Sequence, residues 1–173
     1  MASKTLVSVE QYLKSSFDGP EPDYLDGEIV ERHLGSKPHS KVQKRLLLFF
    51  EALRKSSQCD AYPELTLRLS PTRYRVADVA VLTAESPEEN YPTRPPFIVA
   101  EVVSEDDRQV EILNKLAEYH AWGVTHVWSV DPWTLKLFVY DDSGYHEVPA
   151  YELPEFGVTL TAAEIFADHT AQQ

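Results

Sequence analysis

Two carboxylates set inside apolar, β-like runs carry the clearest chemical signal in this chain. Asp78 interrupts Tyr74-Arg75-Val76-Ala77-Asp78-Val79-Ala80-Val81-Leu82, and Glu101 interrupts Phe97-Ile98-Val99-Ala100-Glu101-Val102-Val103. A charge is almost never buried without a partner, so each carboxylate calls for a counter-charge, a metal ion or water. The pair is a candidate metal site, with Lys115 on the helical stretch that follows. The same trio also fits a buried ion-pair network that sets strand register and holds no metal. From these residues alone both readings stand.

The donors define what a metal site here would do. Phosphodiester hydrolysis builds negative charge on the phosphorus oxygens, and a hard cation held by carboxylate oxygens answers that charge directly. Asp78 and Glu101 supply such oxygens, and the backbone carbonyl of Val102 adds another. Lys115 would orient or help deprotonate the attacking water and neutralise the transition state. Mg2+ or Mn2+ suits an all-oxygen set, and zinc does not.

These residues need elements to hold them. Val9-Glu10-Gln11-Tyr12-Leu13 reads as a short helix capped by Ser8. Asp26-Gly27 between apolar positions of Tyr24 to Arg32 predicts a hairpin. Val42, Leu46, Leu47, Phe49, Phe50 and Leu53 recur at helical spacing and predict a helix of about four turns. Leu65, Leu67 and Leu69 alternate with polar residues and form an antiparallel pair with the Asp78 strand across Ser70-Pro71-Thr72. Residues 86–96 hold four prolines and read as a surface loop. Asp106-Asp107 open a helix with Ile112, Leu116 and Tyr119 on one face and Gly123 as its stop. Strands over 125–130 and 135–140 follow, then two more around His146-Glu147-Val148 and Val158-Thr159-Leu160, and a short helix from Ala162 to Phe166. The order is βαβ followed by a hairpin.

The chain has 173 residues, 43% of them hydrophobic, which supports one core and predicts one domain over 1–173. No segment approaches the roughly 18 apolar residues of a membrane span, and Met1-Ala2-Ser3-Lys4-Thr5 lacks the apolar block of a signal peptide, so a cytoplasmic location is expected. Cys59 is alone and reads as an apolar filler. The formal charge of −12 argues against a nucleic-acid partner at first sight. Basic residues gather locally, however, at Lys37, Lys41, Lys44, Arg45, Arg54 and Lys55 and again at Arg68, Arg73 and Arg75; such a face could meet a phosphate, but any one of these is more often a solvated surface charge. His33, His120, His126, His146 and His169 do not converge on a metal spacing. Trp122, Trp128 and Trp133 read as core and turn packing rather than a base-stacking platform.

The residues also carry a resemblance over about Leu13 to Phe166. The pieces are Tyr24-Leu25-Asp26-Gly27-Glu28-Ile29-Val30-Glu31, His39 at a helix head, Arg75-Val76-Ala77-Asp78-Val79-Ala80-Val81, Ala100-Glu101-Val102-Val103-Ser104, Asp107-Arg108, Lys115-Leu116-Ala117-Glu118-Tyr119, Gly123-Val124 and Trp128-Ser129-Val130-Asp131-Pro132. In this order and spacing the chain resembles the Uma-type endonuclease family, a branch of the restriction-endonuclease-like PD-(D/E)XK superfamily. The resemblance implies an α/β (α+β) fold: a mixed central β-sheet flanked by helices, with an N-terminal hairpin. It further implies divalent-metal-dependent phosphodiester cleavage, a nucleic-acid substrate, DNA foremost, and self-association as a homo-oligomer such as a dimer. Ala77 stands where the superfamily has proline, and Val103 where it has lysine; the resemblance gives the lysine's role to Lys115.

Further candidates are Glu28, through the Asp-Gly-Glu motif of the resemblance, and Glu64, just ahead of a strand; a residue in either place is more often an exposed strand residue. His39 would contact substrate or shape the cleft, and otherwise caps or packs. Gln43 lies one turn later on the same face. A different class of function is a nuclease scaffold that binds a partner without cleaving, which the acidic composition favours.

Overall fold

Asp26 and Gly27 have φ of 52° and 101°, the left-handed pair that a two-residue hairpin turn demands. They join two short strands at the start of the sheet. The structure is a computed structural model that describes residues 6–167; Met1 to Thr5 and His169 lie outside that range.

In chain order the elements are α1 (Val9–Lys14), β1 (Asp23–Leu25), β2 (Glu28–Val30), α2 (Lys37–Ser57), β3 (Cys59–Ser70), β4 (Arg73–Thr83), β5 (Ile98–Val102), α3 (Gln109–Trp122), β6 (His126–Asp131), β7 (Lys136–Asp141), β8 (Gly144–Val148), β9 (Ala150–Leu153), β10 (Val158–Thr161) and α4 (Ala162–Phe166). The large sheet runs β2-β1-β4-β5-β6-β7-β8, with β3 also paired to β4, while β9 and β10 form a separate ribbon. β5 and β6 are parallel and linked through α3, whereas the remaining pairs of the large sheet are antiparallel. This is the expected mixed sheet flanked by helices. Among the described residues no helix is long and apolar enough to cross a membrane.

Local chemistry explains most boundaries. Ser8 and Gln11 form a reciprocal capping box on α1. Ser36 caps α2 and Pro38 sits in its first turn, where a missing N–H costs nothing. α2 spans 21 residues, longer than its apolar stripe suggests, because both end turns are polar yet are continued by capping. Arg108 precedes α3 without a side-chain cap; Asp107, expected at the helix start, accepts the Ser104 N–H at 2.7 Å. Gly123 ends α3 at φ 106°. β3 begins at Cys59, earlier than the alternation of Leu65 to Leu69 indicates, and β9 is an additional strand.

Two apolar layers cover the sheet. On one, Val42, Leu46 and Phe50 of α2 join Val79, Val81, Trp128 and the ribbon residues Tyr151, Leu153 and Leu160. Trp128 stacks on Tyr151 with centroids 4.0 Å apart, and the Tyr151 hydroxyl donates to the Ser129 carbonyl at 2.7 Å. On the other, Leu116 and Tyr119 of α3 pack against Ala80, Val99 and Val127. Cys59 is buried in the first layer. Trp133, by contrast, is 44% exposed in the β6–β7 turn and is not core.

β3 runs along the whole of one edge of β4. The other edge is divided: β1 pairs with Arg73 and Tyr74, and β5 with Val79 to Val81. Residues 75–78 fall in the gap.

Leu46 is fully buried while Leu48, on the opposite side of α2, is 55% exposed. Leu46→Ala is expected to lower unfolding free energy by about 2–5 kcal/mol and Leu48→Ala by no more than about 0.5 kcal/mol in urea titrations.

Candidate active site at a fork in the sheet

The β4–β5 ladder runs from Val81 opposite Ile98 to Val79 opposite Ala100 and stops. One more step would set Asp78 against Glu101. Instead the strands part, and the Asp78 carboxylate accepts the Val102 N–H at 2.7 Å. A side chain thus takes the place of a ladder hydrogen bond, as the need to satisfy every buried backbone group requires.

Asp78 is 4% exposed. Its Oδ2 accepts both the Val102 N–H and His39 Nε2, the latter at 3.1 Å. Its Oδ1 accepts Arg32 Nη2 at 2.6 Å. Burial alone would raise the Asp78 pKa, but the His39 hydrogen bond and the charges of Lys115, His39 and Arg32 outweigh it and bring it to about 2. His39 is correspondingly held toward its protonated form: burial opposes this, and Asp78 overrides. Its Nδ1 is buried without a hydrogen-bond partner among the described residues.

Glu101 has the opposite balance. Burial pushes its pKa up to about 7, with Asp78 adding to the rise and Lys115 and Arg32 opposing it. Its Oε2 accepts Lys115 Nζ at 2.9 Å and its Oε1 the Tyr119 hydroxyl at 3.1 Å. Lys115 Nζ also donates to the Val76 carbonyl at 2.7 Å. Burial works against the lysine's charge, but Glu101, Asp23 and Asp78 keep it protonated.

The secondary candidates separate. Gln43 Nε2 donates to the Asp78 carbonyl and to Glu64 Oε1, both at 2.8 Å. Glu64 stands on β3 across from Asp78, where it breaks the pairing with a φ of 50°; a non-glycine residue in that region is strained and persists only where its surroundings enforce it. Its other oxygen receives Arg32 Nη1 at 2.5 Å. His39, Gln43 and Glu64 therefore join the trio, but Glu28, opposite Leu25 at the hairpin tip, does not line the cleft.

Several participants were not singled out from the sequence. Arg32 bridges Asp78 and Glu64 from the segment after β2, and nothing in its local pattern marks it. Tyr119 does carry a signal, four residues after Lys115 on one helix face. Asp23 accepts the Val76 N–H and Arg75 Nη1, each at 2.8 Å, and Glu118 pairs with Arg75 and Arg73. Of the basic group at Arg68, Arg73 and Arg75, two are thus committed to carboxylates, and Arg68 lies over the Tyr74 ring.

Asp23, Arg32, His39, Gln43, Glu64, Arg75, Asp78, Glu101 and Lys115 line a cleft of about 610 Å³. Eight of its lining residues are Asp or Glu against three Arg or Lys, a field that favours a cation and repels a bare phosphate. Among the described residues no three or more His, Cys, Asp or Glu side chains converge in a metal-holding group.

Residues 9–171 match the family model Uma2, described as "Putative restriction endonuclease". The chain belongs to the Uma2 family. This Uma2 chain is also similar to a crystal structure described as a "putative nuclease belonging to DUF820" from Anabaena variabilis ATCC 29413, with 20% identity, 93% of this chain and 98% of that chain covered, and a TM-score of 0.81. At that identity the likeness establishes the fold. No curated protein matches the chain.

The two carboxylates should tune stability in opposite directions. The Asp78 pKa lies below its usual 3.8, so its contribution is present above that pH and is lost as pH falls through about 2. The Glu101 pKa lies above its usual 4.5, so its contribution is present below that pH and is lost as pH rises through about 7. In urea unfolding, Asp78→Asn is expected to cost about 2–4 kcal/mol near neutrality, with a smaller deficit toward pH 2. Glu101→Gln should instead gain on the unaltered protein between about pH 5 and about pH 8.

Proposed function

We propose that this Uma2 chain hydrolyses phosphodiester bonds of nucleic acid, DNA foremost, at the fork between β4 and β5, with Mg2+ or Mn2+ as cofactor. The observation that carries this reading is the placement of Asp78 and Glu101 at the end of one ladder, in an acidic cleft, with Lys115 Nζ 2.9 Å from Glu101.

The residues fit such an ion. The donor set is all oxygen, which suits a hard cation, and the cleft is acidic in excess. Asp78 Oδ1 and both Glu101 oxygens each have one protein donor, which leaves acceptor capacity on a carboxylate with about four lone-pair directions. Asp78, Glu101 and the Val102 carbonyl would hold it. When bound, such an ion supplies Lewis-acid stabilisation of charge on the phosphoryl oxygens and an activated water.

The chain's own residues would do the rest. Lys115 is held protonated, which suits it to orient a water and offset transition-state charge rather than to accept a proton. Its two fixed acceptors, Glu101 and the Val76 carbonyl, set its direction in advance. His39 and the Val102 N–H hold Asp78 ionised with Oδ2 engaged, while Oδ1 has Arg32 as its donor. Tyr119 steadies Glu101 from the α3 side.

A second reading, a nuclease scaffold that binds without cleaving, draws on the −12 charge and on the protein cations already seated on both carboxylates. Plasmid nicking with Mg2+ or Mn2+ separates the two. Lys115→Met keeps the aliphatic stem, and Glu101 can take up a proton once its partner is gone, so the variant should fold. Its cleavage rate should drop by about 100-fold or more while its circular dichroism melt stays cooperative. An unaltered protein that cleaves neither DNA nor RNA with either ion would sink the nuclease reading.

A further inference from the structure

Arg32 is placed to do more than neutralise Asp78. It reaches the cleft from residues 31–36, which carry no regular structure before α2 begins, and its guanidinium joins Asp78 on β4 to Glu64 on β3. Its side chain is 13% exposed on the cleft wall. The oxygen it occupies is Asp78 Oδ1, whereas Oδ2 is already shared by the Val102 N–H and His39. A cation entering the fork would therefore meet Arg32 at the one Asp78 oxygen with room for it. Two of the roughly five donors of a guanidinium are used here, and Arg32 lines a cleft in which Asp and Glu outnumber Arg and Lys.

We propose that Arg32 is the backbone-phosphate ligand of this site, held on Asp78 and Glu64 until the site is loaded and then turned toward the phosphodiester. The proposal rests on the reading of the cleft as a phosphodiesterase site. A planar, bidentate cation suits a phosphate as well as it suits a carboxylate. A divalent ion held by Asp78 would compete with Arg32 for this carboxylate, which would free the arginine where negative substrate arrives. In the unloaded protein the same arginine offsets the repulsion between Asp78, Glu64 and Glu101. Glu64 is thereby a positioning residue, and its strained backbone at φ 50° holds the second anchor opposite Asp78.

The test uses manganese calorimetry and the binding of a fluorescent DNA duplex in Ca2+ as a non-turnover condition, on the full chain. Arg32→Gln should bind Mn2+ more tightly than the unaltered protein and DNA about tenfold more weakly or worse. A purely structural arginine would instead weaken Mn2+ binding along with folding. Should Arg32→Gln fail to fold, Glu64→Gln and Arg32→Lys form a second cycle. Glu64→Gln, which unties one anchor, should tighten DNA binding, and that gain should shrink in the Arg32→Lys background, whose ammonium cannot bridge both carboxylates. Unchanged Mn2+ and DNA affinities in Arg32→Gln, or an equal gain from Glu64→Gln in both backgrounds, overturns the role of Arg32 while cleavage by the unaltered protein keeps the nuclease reading. An unaltered protein that takes neither Mn2+ nor DNA overturns both.

Discussion

The divided edge of β4 is the constraint on which this molecule turns. A central strand normally satisfies its backbone through two neighbours, but between Tyr74 and Val79 the second neighbour changes from β1 to β5. Buried N–H and C=O groups there must still be paired, and side chains do it. Asp23 takes the Val76 N–H, Lys115 reaches the Val76 carbonyl, and Gln43 reaches the Asp78 carbonyl. The side chains that could do chemistry are thus the ones that complete the sheet. Asp78 and Lys115, two of the trio, are among these backbone partners, whereas Glu101 pairs with the side chains of Lys115 and Tyr119.

That economy explains the electrostatics. Asp78 is surrounded by donors and stays ionised in spite of burial, while Glu101, one strand over, has fewer and sits close to neutrality. The two differ less in burial than in what points at them. A site built from unlike carboxylates holds one fixed charge and one adjustable charge, and the arginine and lysine around them offset the repulsion between them.

Legibility followed the range of the interaction. Asp78 and Glu101 stood out because a charge inside an apolar run is anomalous over a few residues, and Lys115 followed from the helix after them with the help of the family resemblance. The βαβ order, the Asp26-Gly27 turn and the Gly123 stop are local and were readable; the mixed sheet with flanking helices came from the resemblance. Arg32 was not readable, because it sits in a polar stretch and its partner is 46 residues away. Glu28 lies outside the cleft lining because its motif forms the hairpin tip. β9 was hidden by Pro149 and Pro154 at its flanks, and the early start of β3 by an irregularity at Glu64 that only tertiary contact enforces.

Every described residue lining the cleft lies between Pro20 and Lys115, yet the strand that bears Glu101 is locked in parallel register to β6, with Val102 opposite Val130. Parallel pairing needs the intervening helix and the second strand before it can form. During synthesis, then, the ribosome releases the cleft-lining side chains before the β6 strand that aligns β5. The fork therefore stays unassembled until the later portion of the chain emerges, which gives this fold a built-in delay between making its parts and aligning them.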